Sequence, residues 1–203
     1  HIVILHDESI DRTTDKKGAI HELTLAEVES ADAGSWFGPE FTGQRIPTLT
    51  QLIDLINADG LNVNFELKPY LGGDARAAKL IDGFAAELKR VSPTSQVIVS
   101  SFNASMLKQF KALSPETPTA ILFKRNQLNE NWAAVADATG SKIIHPDVRG
   151  LTQERVRKLK QAGYQLNVWT VNNLRTAYQL FNWGVDGVFT DISHRFPEAF
   201  RAQ

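Results

Sequence analysis

Short apolar runs recur along the chain, and each is followed by a longer stretch with helical periodicity. Runs rich in Val, Ile, Leu and Phe predict strands over 62–67, 97–101, 119–123, 142–145, 166–170 and 187–190. A further β-branched run, Ile-Val-Ile-Leu at 2–5, predicts a strand at the very start. Helices are predicted over 49–58, 74–90, 104–113, 130–138, 153–162 and 174–183. In the second of these, Ala78, Ile81, Phe84, Ala85 and Leu88 form one apolar stripe. Thr152 is a natural N-cap for the fifth helix, Gly163 ends it, and Gly184 ends the sixth.

Strand and helix in strict alternation imply parallel pairing, because a parallel neighbour needs a long crossover. An open doubly wound sheet and a closed barrel both satisfy this. The open sheet calls for a Gly-rich turn, and Gly72-Gly73 after the 62–67 strand lacks the G-x-G-x-x-G spacing. The barrel is the better fit. Six strand–helix units are countable from residue 62 onward, and a barrel has eight. Two further units of roughly 25–30 residues each fit a chain that opens inside a strand. The expectation is a single α/β domain over 1–203, a (β/α)8 TIM barrel without its first strand–helix unit and most of its second.

One strand breaks the apolar rule. In Asn62-Val63-Asn64-Phe65-Glu66-Leu67-Lys68, the residues Val63, Phe65 and Leu67 share one face, and Asn62, Asn64, Glu66 and Lys68 share the other. The face that packs on helices must be apolar, so the polar set points into the barrel. Two amides and two opposite charges there are costly unless they are paired or bind something. Glu66 and Lys68 fall at the C-terminal end of the strand, where barrel active sites lie. A carboxylate suits Mg2+ or Ca2+, and an ammonium suits a phosphate oxygen. A plain rim ion pair or a solvated strand end is the competing reading.

Composition narrows the partners. Net charge is −1 and no Lys/Arg block occurs, which argues against nucleic acid. No run reaches the length of about 18–20 apolar residues that a membrane span needs, so stable membrane insertion is not expected. The absence of cysteine excludes disulfides and thiolate metal sites. No heptad or interface helix indicates an oligomer.

Several short motifs occur in order: His6-Asp7, Arg12-Thr13-Thr14, Pro47-Thr48-Leu49, Asn64-Phe65-Glu66-Leu67-Lys68, Ser101-Phe102, Val168-Trp169-Thr170-Val171-Asn172 and Gly184-Val185-Asp186-Gly187-Val188-Phe189-Thr190-Asp191. The series resembles the glycerophosphodiester phosphodiesterase family. Asp32-Ala33-Gly34-Ser35-Trp36 is similar to its short bacterial cytoplasmic branch. The resemblance implies a phospholipase-C-like TIM barrel with a small insertion after the second barrel strand, here residues 7–45. It implies metal-dependent hydrolysis of glycerophosphodiesters to sn-glycerol 3-phosphate and an alcohol, with two histidines as acid and base. His6 matches the histidine that protonates the leaving alkoxide. Glu66 matches a carboxylate ligand of the divalent cation, Mg2+ or Ca2+. Lys68 matches the cation on the phosphate, and Trp169 matches an aromatic at the mouth. The family's His-Arg-Gly and Glu-x-Asp motifs do not occur in this sequence. One carboxylate holds such an ion poorly, so these 203 residues alone are expected to be inactive.

Other residues carry weaker signals. Ser101 ends its strand and suits either a phosphate oxygen or the start of the next helix, for which Asn103 is the better cap. His145 reads as a packed rim residue and Asp191 as a cap for a terminal helix. Trp36, Phe37 and Phe41 either cover substrate or pin the insertion. Two further readings stay open: a lysophospholipid phosphodiesterase of the same barrel type, and a barrel that binds phosphodiesters without cleaving them.

Overall fold

A computed structural model describes residues 1–68, 73–128 and 131–197. These residues form two compact units, one within 1–63 and 69–97, the other within 64–68 and 98–203.

The first unit holds α1 (Leu25–Glu29), a 3-10 turn at Pro39–Phe41, α2 (Leu49–Asp59) and α3 (Asp74–Leu88). Residues 7–45 are better ordered than their turn-rich sequence suggests. Thr24 and Glu27 close a capping box at the start of α1. Ile10, Val28, Ala31 and Ile46 make a small core of their own. Thr48 and Gln51 cap α2 in the same way, and Gly60 ends it in the left-handed conformation at φ 64°. Arg90 bridges Asp54 of α2 and Glu87 of α3 at 2.8 and 2.7 Å. The predicted strand at 2–5 is not a barrel strand. It is an extended clasp in which Val3 bridges Thr48 antiparallel, Ile4 N–H donates to the Pro47 carbonyl and Leu49 N–H to the Ile2 carbonyl. Proline offers no N–H, so the ladder stops there.

The second unit carries nearly all of a parallel sheet. Its strands are β1 (Val63–Glu66), β2 (Val97–Ser101), β3 (Thr119–Phe123), β4 (Ile143–Pro146), β5 (Gln165–Val168) and β6 (Gly187–Val188). They neighbour one another in chain order, β1 to β6. Between them run α3 and α4 (Ala104–Leu113), α5 (Trp132–Thr139), α6 (Gln153–Gln161) and α7 (Leu174–Asn182). Val63 N–H meets the Gln96 carbonyl and Leu67 N–H the Ser100 carbonyl, so β1 and β2 advance together in parallel. Val99 faces Thr119, Ala120 faces Ile143, Ile143 faces Gln165 and Asn167 faces Gly187. The order never reverses, whereas a doubly wound sheet requires a switch point. This is the strand order of a (β/α) barrel, six strands of it.

The helices pack on one face of the sheet. Ile121, Ile144, Leu166 and Val168 bury against Leu107 of α4, Val156 and Leu159 of α6, and Ala177 and Leu180 of α7. A buried aliphatic side chain contributes about 1.5–3 kcal/mol, so this face supplies the main stabilisation of the unit. Thr152 and Asn173 cap α6 and α7 through the N–H groups of Arg155 and Thr176. The other face carries a polar layer. Asn64 Nδ2 donates to Ser100 Oγ at 3.0 Å, and His145 Nε2 lies 3.1 Å from Asn167 Nδ2. A Cβ on Gly187 would come within 2.5 Å of Asn167 Oδ1, so this position needs glycine for space.

Candidate active site

Glu66 and Lys68 stand at the C-terminal end of β1. Glu66 is exposed and Lys68 half-buried. Among the described residues they form no ion pair with each other, so the rim-pair reading does not hold. Neither has an ion-pair partner among the described residues. The polar alternation behind them is real: Asn64 points to Ser100, and Asn62 Oδ1 accepts from Gln96 N–H at 2.8 Å.

Ser101 ends β2. It is fully buried, its hydroxyl donates to the Leu67 carbonyl at 2.6 Å, and it accepts from Asn103 N–H at 3.0 Å. A phosphate oxygen needs a donor, and the one hydroxyl proton is already used. Ser101 instead fixes the end of β1 just ahead of Lys68. Asn103 caps α4 through Met106 N–H, as expected.

Trp169 lies just beyond β5 and is half-buried. Its N–H donates to the Pro146 carbonyl and its carbonyl accepts from Val148 N–H, so the end of β4 holds its backbone on both sides. Its indole N–H donates to the His145 carbonyl at 2.8 Å. Its ring meets Phe102 edge to face at 5.5 Å. These contacts leave it one preferred orientation at the strand ends.

His6 belongs to the first unit and is largely exposed. Its Nδ1 lies 2.6 Å from an Asp7 carboxylate oxygen, and Arg12 reaches the same carboxylate through Nε at 2.5 Å and Nη2 at 3.1 Å. The Arg12 hydrogen bond, with that of His6, lowers the Asp7 carboxyl to about 2. Asp7 is therefore ionised at any working pH and, as an acceptor, suits an N–H at His6 Nδ1, the tautomer that leaves Nε2 without the hydrogen bond to Asp7. The adjacency of His6 and Asp7 was visible in the sequence. The part played by Arg12 was not, because it depends on the chain turning back over five residues.

Two other expectations change. His145 is wholly buried, not at the rim, and burial lowers its pKa to about 4. Asp191 caps no helix: the last turn, Ser193–Arg195, begins at Ile192 without a side-chain cap, and Asp191 accepts from Asn172 Nδ2 at 2.6 Å.

The profile of the glycerophosphoryl diester phosphodiesterase family matches residues 1–194. The chain belongs to this family. It is 34% identical to the glycerophosphodiester phosphodiesterase of Caldanaerobacter subterraneus over 94% of its own length and 76% of that protein. It is 32% identical to that of Bacillus subtilis, over 98% of the chain and 73% of the relative. Among solved structures, a phosphodiesterase of Oleispira antarctica in complex with the product sn-glycerol-3-phosphate superposes with a TM-score of 0.91 at 31% identity. That match covers 98% of this chain and 79% of the other. The family is one of hydrolases, generally dependent on a divalent cation. The described residues contain no group of three or more His, Asp, Glu or Cys placed to hold a metal ion. Glu66 alone does not meet the demand of Mg2+ or Ca2+ for six or more oxygens. No described helix is long and apolar enough to cross a membrane.

Proposed function

We propose that this chain carries out its part of glycerophosphodiester hydrolysis, to sn-glycerol 3-phosphate and an alcohol, with Lys68 and Trp169 as substrate-binding residues and His6 as the general acid. The observation that carries the reading is the likeness, at 31% identity and a TM-score of 0.91, to a phosphodiesterase holding sn-glycerol-3-phosphate. Lys68, without an ion-pair partner among the described residues, supplies an ammonium for a non-bridging phosphate oxygen, and a phosphodiester carries one negative charge there. The flat face of Trp169, held by His145 and Phe102, is a wall for the carbon face of the glycerol. His6, protonated, donates the Nε2 proton to the alkoxide as its bond to phosphorus breaks. Asp7 stabilises the imidazolium until then. Glu66 adds one carboxylate toward a divalent cation, Mg2+ or Ca2+, and no step is routed through that ion because these residues do not complete its site. The likeness to the short bacterial branch supports a cytoplasmic location.

The test is the release of sn-glycerol 3-phosphate by the natural protein, purified whole. His6→Ala lowers turnover by about 10²–10⁴-fold, while Glu66→Gln weakens metal affinity. Activity of His6→Ala within about tenfold of wild type removes His6 from the reaction. Diester binding without product, in the wild type, favours a non-catalytic barrel.

A second reading has one observation behind it. Trp36 and Phe37 are 50% and 70% exposed and stack edge to face at 5.6 Å in the insertion. Such a knob suits a lipid surface and hence a lysophospholipid substrate. Faster turnover of lysophosphatidylcholine than of glycerophosphocholine selects this alternative.

A further inference from the structure

The chain as a whole is close to neutral, yet the ends of β3 and β4 are not. Lys124 and Arg125 follow β3, and Arg149 follows β4. The one carboxylate described with them is Asp147, which is buried. Arg149 takes both of its oxygens, through Nε at 3.0 Å and Nη2 at 2.6 Å. Arg125 also acts on the charge of Asp147. Lys124 is different. Among the described residues no carboxylate pairs with it. Its Nζ lies 5.5 Å from the centre of the Phe102 ring, and that ring meets Trp169 at 5.5 Å. Its backbone is pinned by Gln127, whose side chain accepts from Lys124 N–H at 3.0 Å and whose N–H reaches the Lys124 carbonyl. An exposed ammonium is thus held at the aromatic wall, on the strand two places along from the one that bears Lys68.

One phosphodiester charge does not require two separate cations. We propose that Lys124 reads the alcohol side of the diester and selects head groups that carry a further negative charge, a phosphate monoester above all, over cationic ones. The inference rests on the phosphodiesterase reading above. With the head group beside Phe102, a second anion meets Lys124, and Asp147, the one carboxylate described at these strand ends, is already taken by Arg149. A quaternary ammonium there meets like charge.

Three substrates test it on the natural protein with Mg2+ present: glycerophosphocholine, glycerophosphoinositol and glycerophosphoinositol 4-phosphate. The expected wild-type order of kcat/KM rises from the first to the last. Lys124→Gln lowers kcat/KM for the phosphorylated substrate about fivefold relative to glycerophosphocholine, the scale of one exposed ion pair. Lys124→Glu lowers the same ratio further, and the difference shrinks at high salt. A ratio that stays within about twofold in both variants overturns the proposal. So does an equal loss on all three substrates, which marks Lys124 as a prop for Phe102 only. Hydrolysis of none of the three by the wild type overturns the phosphodiesterase reading and this inference with it.

Discussion

A histidine with no access to water behaves as a neutral amide would, and His145 is the one such group among the described residues. Burial holds its pKa at about 4, below the ordinary 6.5. Its Nε2 is bonded to Asn167, and its Nδ1 has no partner among the described residues. The unfolded chain takes up a proton at His145 as pH drops below 6.5, while the folded chain refuses it until about 4. Stability from this group is therefore complete above pH 6.5 and falls as pH is lowered toward 4, by an amount on the order of 3 kcal/mol. Urea unfolding between pH 7 and 4 measures the slope, and His145→Gln removes that share of it. An unchanged slope in the variant assigns the loss elsewhere. In the sequence, His145 sat at a strand end and read as a packed residue of the rim. Its inward side chain is covered by Phe189, which meets it edge to face at 4.9 Å from another strand end. No local pattern encodes such a cross-strand lid. Glu66, Lys68 and Trp169 were easier, because the period of two along each strand fixes which side they take.

At the scale of elements, the alternation of apolar runs placed β2, β3 and α4 on their observed bounds. Those runs are β-branched or aromatic and sealed by caps such as Asn103 and Thr152, so local preference and burial agree. Two elements were out of reach. The five-residue α1 is too short for a periodicity argument, and its Thr24–Glu27 capping box emerged only in the structure. The 2–5 run has strand composition but no parallel partner among the described residues. Position 130 of the predicted 130–138 helix lies outside the described residues; the observed α5 begins at Trp132. The clip at the end of β1 is the element most open to test. Ser101→Ala strips a donor from the Leu67 carbonyl and an acceptor from Asn103 N–H. A buried group left unpaired costs about 1–3 kcal/mol, so thermal unfolding moves down, while KM for the diester stays within about twofold. A large rise in KM with an unmoved melting point restores Ser101 as a phosphate ligand.

At the scale of the molecule, the chain-order sheet places Glu66, Lys68, Phe102, Lys124 and Trp169 at the same ends of successive strands. That shared end is a property of parallel topology, and the sequence disclosed it for Glu66 and Lys68 but not for Lys124. The metal was legible only as chemistry. Glu66 is a suitable oxygen donor, but the described residues give it no company of three. Calorimetric titration of the 203-residue chain with Mg2+ or Ca2+ is expected to show no site tighter than about 10⁻⁴–10⁻³ M, the range of ligand-poor calcium sites. Micromolar binding contradicts the donor count. The exposed ring of Trp36 has a consequence of another kind. It is the single tryptophan of the first unit, while Trp132, Trp169 and Trp183 all lie in the second and are half-buried. A water-borne quencher such as iodide therefore darkens Trp36 first. The emission that survives comes mainly from the second unit, and the two units can be followed optically as each one melts.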